Sequence, residues 1–164
     1  MISTARLDLV PLSREMMRAL DNDRARFAEL LDAEVAAAWP QADFAEVLPS
    51  IREWVERDRA LEIWTYVIVL REPKRVLVGE IGYKGPPDSE ATVEIGYALL
   101  PEARRNGYAS EAVTALVRWA LQRNDVLRVT AETVIGNDAS ERVLQRTGFR
   151  LIGIRSDSRW WEHV

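Results

Sequence analysis

The spacing of apolar residues in the first third of the chain predicts a short strand followed by helices. Apolar residues recur there at intervals of three and four, as on a helix with one buried face. The predicted elements are a strand over 5–10 and helices over 14–20, 24–37 and 43–60. Trp39-Pro40 ends the second helical pattern. Pro49 lies inside the third pattern, so the sequence leaves open whether that helix is continuous.

The middle of the chain changes to runs of β-branched and aromatic residues that end at turns containing Pro or Gly. These runs predict strands over 63–70, 76–83 and 92–100, arranged as an antiparallel meander. A helix over 108–123, a strand over 127–134, a helix over 138–146 and a hairpin over 149–164 follow. The strand–helix–strand unit over 92–134 requires two parallel strands joined by a right-handed crossover.

The order of these elements predicts an α/β fold of the α+β type, with residues 1–164 in one domain. The antiparallel meander excludes a purely parallel, doubly wound sheet. The expected sheet is therefore mixed and mostly antiparallel, has about seven strands and is flanked by helices.

Composition narrows the chemistry that such a domain can perform. The chain has no cysteine, which excludes disulfides, thiolate nucleophiles and cysteine-based zinc sites. Its one histidine, His163, stands next to the last residue, which argues against a catalytic triad and against a metal site. The net charge of -4 argues against a nucleic-acid partner, and no apolar run approaches the ~18 residues of a membrane span. We therefore expect a cytoplasmic protein without a metal.

The strand predicted over 92–100 places a carboxylate beside very small residues. Glu94, Gly96 and Ala98 share one face of this strand because side chains alternate along it. The other face carries the larger side chains of Val93, Ile95, Tyr97 and Leu99. A carboxylate beside such small residues indicates the floor of a cleft.

The segment after this strand has the features of an anion site. A helix begins just past Gly107, and the free amides of a helix N-terminus attract anions. Gly107 lets a ligand approach the backbone closely, and Arg104 and Arg105 add positive charge. This pattern indicates a pyrophosphate cradle that is neither a Walker A loop nor a GxGxxG fingerprint. An ordinary turn glycine with solvated arginines explains the local pattern equally well.

A second informative stretch runs from Asn137 to Phe149. Asn137 is suited to cap a helix at its N-terminus, and Gly148 is suited to end that helix. Capping alone accounts for both residues.

Taken in order, the two stretches resemble the GCN5-related N-acetyltransferase (GNAT) superfamily. Arg104-x-x-Gly107-x-Ala109 is similar to the acyl-CoA pyrophosphate motif of that superfamily. Asn137-x-x-Ser140, followed by Gly148-Phe149, and the opening segment 4–12 resemble its RimJ/RimL-like branch.

This resemblance implies a binding site for acetyl-CoA in a V-shaped opening where the two parallel strands, 92–100 and 127–134, splay apart. The implied CoA-binding residues are Leu99, Leu100, Arg104, Arg105, Asn106, Gly107, Tyr108, Ala109, Ser110, Asn137 and Ser140. The amide of Leu100 or of a neighbour is expected to stabilise the oxyanion.

The resemblance also implies two catalytic residues. Glu94 occupies the place of a base that acts directly or through water, and Ser140 is a candidate proton donor to the leaving thiolate. The alternatives are a solvated strand glutamate and a helix serine that bonds only to its own backbone. Trp39, Trp54 and Trp64 are expected near the acceptor side.

The implied function is acetyl-CoA-dependent transfer of an acetyl group to a primary amine, on a protein N-terminus or a small molecule. Because no cysteine can carry an acyl group, direct transfer in a ternary complex is expected. A non-catalytic acyl-CoA-binding module and a nucleotide-binding domain are the alternatives. The C-terminal hairpin is short for the family, so a second copy in a homodimer could complete the acceptor pocket.

Overall fold

The computed structural model describes residues 1–164 and contains one eight-stranded sheet with helices on both faces. The strands are β1 (Ile2–Ser3), β2 (Leu7–Pro11), β3 (Thr65–Leu70), β4 (Val76–Tyr83), β5 (Thr92–Leu99), β6 (Arg128–Val134), β7 (Arg150–Arg155) and β8 (Ser158–His163). The α-helices are α1 (Arg14–Asn22), α2 (Arg24–Leu31), α3 (Ala42–Arg57), α4 (Tyr108–Leu121) and α5 (Asp138–Arg146). Short 3₁₀ helices cover Arg59–Trp64 and Pro101–Ala103.

The strands are ordered β1-β2-β3-β4-β5-β6-β8-β7 across the sheet. Every neighbouring pair is antiparallel except β5 and β6, which are parallel and are joined through α4. The predicted mixed, mostly antiparallel sheet is thereby confirmed. The eighth strand is β1, whose two residues pair with Leu9 and Asp8 at the edge of the sheet.

The second predicted helix is wrong in its C-terminal half, because α2 ends at Leu31 and not at residue 37. Asp32 adopts a left-handed conformation with φ 53°, which stops the helix. The chain then leaves the helical path, and Glu34 forms a parallel bridge to Val76 on β4. The apolar pattern beyond Leu31 therefore belongs to a loop that packs against the sheet.

The third predicted helix is continuous despite Pro49. This helix, α3, runs from Ala42 to Arg57, and the buried side chains of Phe44, Leu48 and Ile51 hold it on the sheet. Pro49 lies on the exposed side of the helix. The carbonyl that loses its amide partner can therefore be hydrated, which makes the proline tolerable.

Each face of the sheet has its own apolar core. On one face α4 packs through the predicted stripe of Val113, Leu116, Val117 and Ala120. On the other face α1, α2 and α3 cover β2, β3 and the first half of β4. Trp39 lies in this second core, whereas Trp64 lies in the α4 core on the opposite face of the sheet. No helix is both long and apolar enough to traverse a lipid bilayer.

Candidate active site

The two parallel strands separate halfway along their length. β5 and β6 pair from Thr92 and Arg128 as far as Ile95 and Ala131. Beyond that point β5 continues to Leu99 and β6 to Val134 without pairing to each other. Since β6 remains paired with β8 and β5 with β4, the sheet contains a V-shaped opening at this place.

Backbone groups of β5 face this opening. The amide of Leu100 donates to the carbonyl of Val78 at 2.9 Å, and the carbonyl of Glu94 accepts from the amide of Lys84. Along a strand the backbone groups of successive residues point alternately to the neighbour on one side and to the neighbour on the other. The amides of Tyr97 and Leu99 therefore point away from β4 and into the opening. The amide of Leu100 is therefore not available as an oxyanion donor, whereas the amide of Leu99 is.

The loop after β5 leads to the N-terminus of α4. Gly107 is the N-cap residue, with φ 80°, and no side chain caps the helix. The first amide to bond within the helix belongs to Glu111, which donates to the carbonyl of Gly107 at 3.1 Å. The amides of Tyr108, Ala109 and Ser110 remain without partners in the chain, as a cradle for an anion requires.

The side chains of the loop mostly hold the loop itself. The guanidinium of Arg104 turns back and donates to the carbonyl of Leu99 at 3.0 Å and to Oε1 of Gln41 at 3.3 Å. The amide group of Asn106 donates to the carbonyls of Ala103 and Arg104. Arg105 makes no such bond and is exposed, so it is the arginine whose charge remains free for an anion.

An arginine between β1 and β2, which the sequence analysis missed, supports the same loop. Arg6 donates to the carbonyl of Asn106 at 2.9 Å, lies over the ring of Tyr108 and pairs with Glu111 at 2.8 Å. Burial would raise the pKa of Glu111, but hydrogen bonds from Thr4 and Arg6 and the charge of Arg6 lower it below its ordinary value. The negative charge near the anion cradle is thereby neutralised.

The N-terminus of α5 borders the opening on the side of β6. The predicted cap is confirmed: Oδ1 of Asn137 accepts from the amide of Ser140 at 3.2 Å. At the other end Gly148 has φ 93°, and the Phe149 amide donates to the carbonyl of Leu144, which confirms the predicted helix stop.

Tyr97 connects β5 to this helix. Its hydroxyl donates to the carbonyl of Ser140 at 3.2 Å, and burial raises the pKa of Tyr97 to about 12. The strand alternation places this side chain on the α4 face but carries no signal that it reaches α5. The hydroxyl of Ser140 itself makes no hydrogen bond within the chain.

The opposite face of the sheet carries the small residues predicted to form a cleft floor, and we call the surface of Gly96 and Ala98 the floor. Gly96 is exposed, and a Cβ added there would meet no atom within 4 Å. Glu94 at one end of this floor forms an ion pair with Lys84, whose ammonium also approaches Glu132 at 3.5 Å. Burial alone would lower the pKa of Lys84, but hydrogen bonds and charge from both glutamates raise it.

The structure therefore brings the cradle residues and Ser140 to the α4 and α5 side of the opening, and Glu94 to the other side. His163 lies apart from both and packs on Phe149, with ring centroids 5.3 Å apart. No group of His, Asp and Glu side chains has the arrangement of a metal site.

A mixed sheet that opens between two parallel strands, with free helix amides after the first of them, is the arrangement of the GNAT class of acetyltransferases. The chain belongs to this family: the profile described as Acetyltransferase (GNAT) domain matches residues 14–150. It is therefore an acyltransferase.

Known proteins resemble the chain along its whole length. The uncharacterized N-acetyltransferase YjdG of Bacillus subtilis (strain 168) is 30% identical over 164 residues, which are 100% of this chain and 98% of the relative. The ribosomal L7/L12 alpha-N-protein acetyltransferase RimL, solved with coenzyme A, has a TM-score of 0.68 at 20% identity and covers 100% of this chain and 96% of its own. A spermidine N-acetyltransferase chimera of SpeG from Vibrio cholerae and hSSAT has a TM-score of 0.68 at 13% identity and covers 98% of this chain and 96% of its own.

Proposed function

We propose that the protein transfers the acetyl group of acetyl-CoA to a primary amine, by direct transfer within a ternary complex. The observation that carries this proposal is the opening between β5 and β6, which joins the anion cradle on one face to the carboxylate-bearing floor on the other. The acceptor is an amine of a peptide N-terminus or of a small molecule. Relatives named for ribosomal-protein and spermidine acetylation support this acceptor class and a RimJ/RimL-like assignment.

The residues around the opening suit the parts of acetyl-CoA. The free amides of Tyr108, Ala109 and Ser110 would bind the diphosphate, with charge from Arg105 and a loop shaped by Gly107, Arg104 and Asn106. The pantetheine arm would lie along the free edge of β5, beside Leu99 and Leu100. Asn137 would contact the arm through its amide nitrogen, because its oxygen caps α5.

Acetyl-CoA supplies the activated carbonyl, and the protein supplies orientation and proton transfer. The amine nitrogen attacks the thioester carbon, the carbon–sulfur bond breaks and the thiolate leaves. Glu94, directly or through water, takes the proton that the amine loses, and the unbonded hydroxyl of Ser140 is the proposed proton donor to the thiolate. The amide of Leu99 would stabilise the oxyanion.

A screen of primary amines with acetyl-CoA, read as released thiol, tests this function without background because the protein has no thiol. The screen includes spermidine and a seryl tetrapeptide with a free N-terminus. Glu94→Gln should lower kcat by about 100-fold or more while the KM for acetyl-CoA is retained. Glu46→Gln, on the exposed side of α3, is the matched control for the loss of one charge.

Two results would contradict the proposal. Thermal stabilisation by CoA without thiol release for any amine would identify a non-catalytic acyl-CoA-binding module. Stabilisation by ATP but not by CoA would identify a nucleotide-binding domain. Unchanged turnover of Glu94→Gln would remove Glu94 from the mechanism.

We also propose a cytoplasmic location, supported by the cysteine-free composition, and a homodimer. The exposed apolar side chains of Leu151, Ile152 and Ile154 on the edge strand β7 support a second copy at this edge. Light scattering of the purified protein measures its mass directly, and a monomer at all concentrations would refute the homodimer.

A further inference from the structure

A second carboxylate, which the sequence analysis did not single out, lies on the same face of the sheet as Glu94. Glu80 on β4 is only 4% exposed, and its Oε2 accepts a hydrogen bond from the indole nitrogen of Trp39 at 2.7 Å. Its other oxygen, Oε1, accepts no hydrogen bond within the chain, and solvent can reach it. One oxygen of Glu80 is thus fixed and the other is free.

The strand register places Glu80 at the cleft floor. Glu80 pairs across the strands with Ala98, and Gly82 pairs with Gly96. Because side chains alternate along a strand, Glu80 is on the same face as the floor residues and Glu94. The two glutamates therefore stand at opposite ends of a floor made of small residues, separated by four residues of strand, or roughly 13 Å.

The surroundings of Glu80 lack a positive charge. Glu80 forms no ion pair, unlike Glu94, and the charge that acts on its pKa is the negative charge of Asp43 on α3. Its neighbours across the sheet are Val67 on β3 and Ala98 on β5, neither of which can ionise. Burial and the charge of Asp43 raise the pKa of Glu80 to about 7, against the lowering effect of the Trp39 bond.

A buried carboxylate without a cation is unfavourable, and an ammonium ion at its free oxygen would relieve that cost. We propose that Glu80 is the binding site for the ammonium group of the acceptor, holding the nitrogen over the floor at Ala98 and Gly96. This inference rests on the proposed function and deepens it, because it assigns the acceptor to amines that arrive as cations. Water over the floor carries the first proton of the bound ammonium to Glu94, and the proton that the attacking nitrogen then loses replaces the one that the Ser140 hydroxyl donates to the thiolate.

Steady-state kinetics with spermidine and with the seryl tetrapeptide test the site. Glu80→Gln should raise the KM for whichever amine is acetylated by about tenfold or more, since a hydrogen bond to a charged group is lost. Its KM for acetyl-CoA should stay within about twofold of wild type and its kcat should not fall, because the lost contact is to the ammonium of the ground state and not to the neutral attacking nitrogen. The acidic limb of kcat/KM for the amine, near pH 7, should disappear in this variant.

Trp39→Phe provides an independent readout. Loss of the indole N–H removes the bond that lowers the pKa of Glu80, so the acidic limb should move to higher pH. Calorimetric titration of spermidine into the CoA-saturated protein gives a measure that does not depend on turnover. Glu80→Gln should weaken the binding of spermidine by about tenfold or more while CoA affinity is retained, and Glu46→Gln should leave both unchanged.

The outcomes separate this inference from the function on which it rests. If wild type releases no thiol with any amine, the proposed function and the ammonium site both fail. If wild type acetylates an amine and Glu80→Gln has the same amine KM, pH profile and binding heat, the ammonium site alone is refuted. A lowered kcat with unchanged amine KM would also refute it, because Glu80 would then act on the chemistry and not on binding.

Discussion

Neutralising Glu80 should make the protein more stable, and increasingly so as the pH rises. The ordinary pKa of 4.5 applies to the unfolded chain, whereas the pKa in the fold is about 7. The fold therefore prefers the protonated carboxyl, and stability is lost as the pH rises from 4.5 through 7. The free energy of unfolding that the raised pKa of Glu80 removes is about 3 kcal/mol at pH 8 and less than about 1 kcal/mol at pH 5.

Glu80→Gln lacks this penalty, because an amide is neutral at both pH values and its carbonyl can still accept from Trp39. Urea unfolding followed by tryptophan fluorescence at pH 5 and pH 8 measures the free energy of unfolding of both proteins. The expected gain at pH 8 is about 3 kcal/mol, or roughly 6–12 °C in Tm for a chain of this size. Glu46→Gln, an exposed position, controls for the change in net charge.

An equal free-energy difference at both pH values would refute the reasoning, since only a titrating group makes the difference depend on pH. A variant less stable than wild type at pH 8 would refute it as well. Higher stability of Glu80→Gln at pH 8 would indicate that the protein keeps a destabilising carboxylate at this position because the carboxylate has a function.

Three further changes have defined outcomes. Gly107→Glu should abolish the rise in Tm that CoA causes in wild type, because it adds negative charge at the anion cradle and strains a residue with φ 80°. A rise in Tm of the same size in this variant would contradict the cradle. Glu111→Gln should cost about 1 kcal/mol at pH 7 in urea unfolding. Because the pKa of Glu111 is lowered in the fold, that cost should vanish as the pH falls below 4.5; a cost independent of pH would exclude the ion pair with Arg6 as its origin. Asn137→Ala should lower the free energy of unfolding by about 1 kcal/mol through loss of the α5 cap, and an unchanged value would show that the cap does not stabilise the fold.

Local patterns were sufficient to predict much of the geometry around the opening. Alternation along one strand predicted the shared face of Glu94, Gly96 and Ala98, because it depends only on strand geometry. The caps at Asn137 and Gly148 follow from bonds within a few residues of each helix end. The free amides after Gly107 follow from the start of a helix in the same way.

Predictions from local patterns failed where backbone groups bond to residues that are distant in the sequence. The helix predicted to reach residue 37 ends at Leu31, because Glu34 finds a partner at Val76 on another element. The helix through Pro49 survives because buried side chains on its other side hold it to the sheet. The Leu100 amide is occupied by Val78, which periodicity along β5 does not reveal.

The sequence by itself determined the order of the elements, the face of β5 that carries Glu94 and the two capped helix ends, since each depends on interactions over a few residues. Only the tertiary structure decided which charges meet. Trp39 reaches Glu80 across 41 residues of chain, and Lys84 bridges Glu94 and Glu132 from two different strands. The environment of a carboxylate is set by what packs on it, and strand pairing and burial bring those groups together from distant parts of the chain.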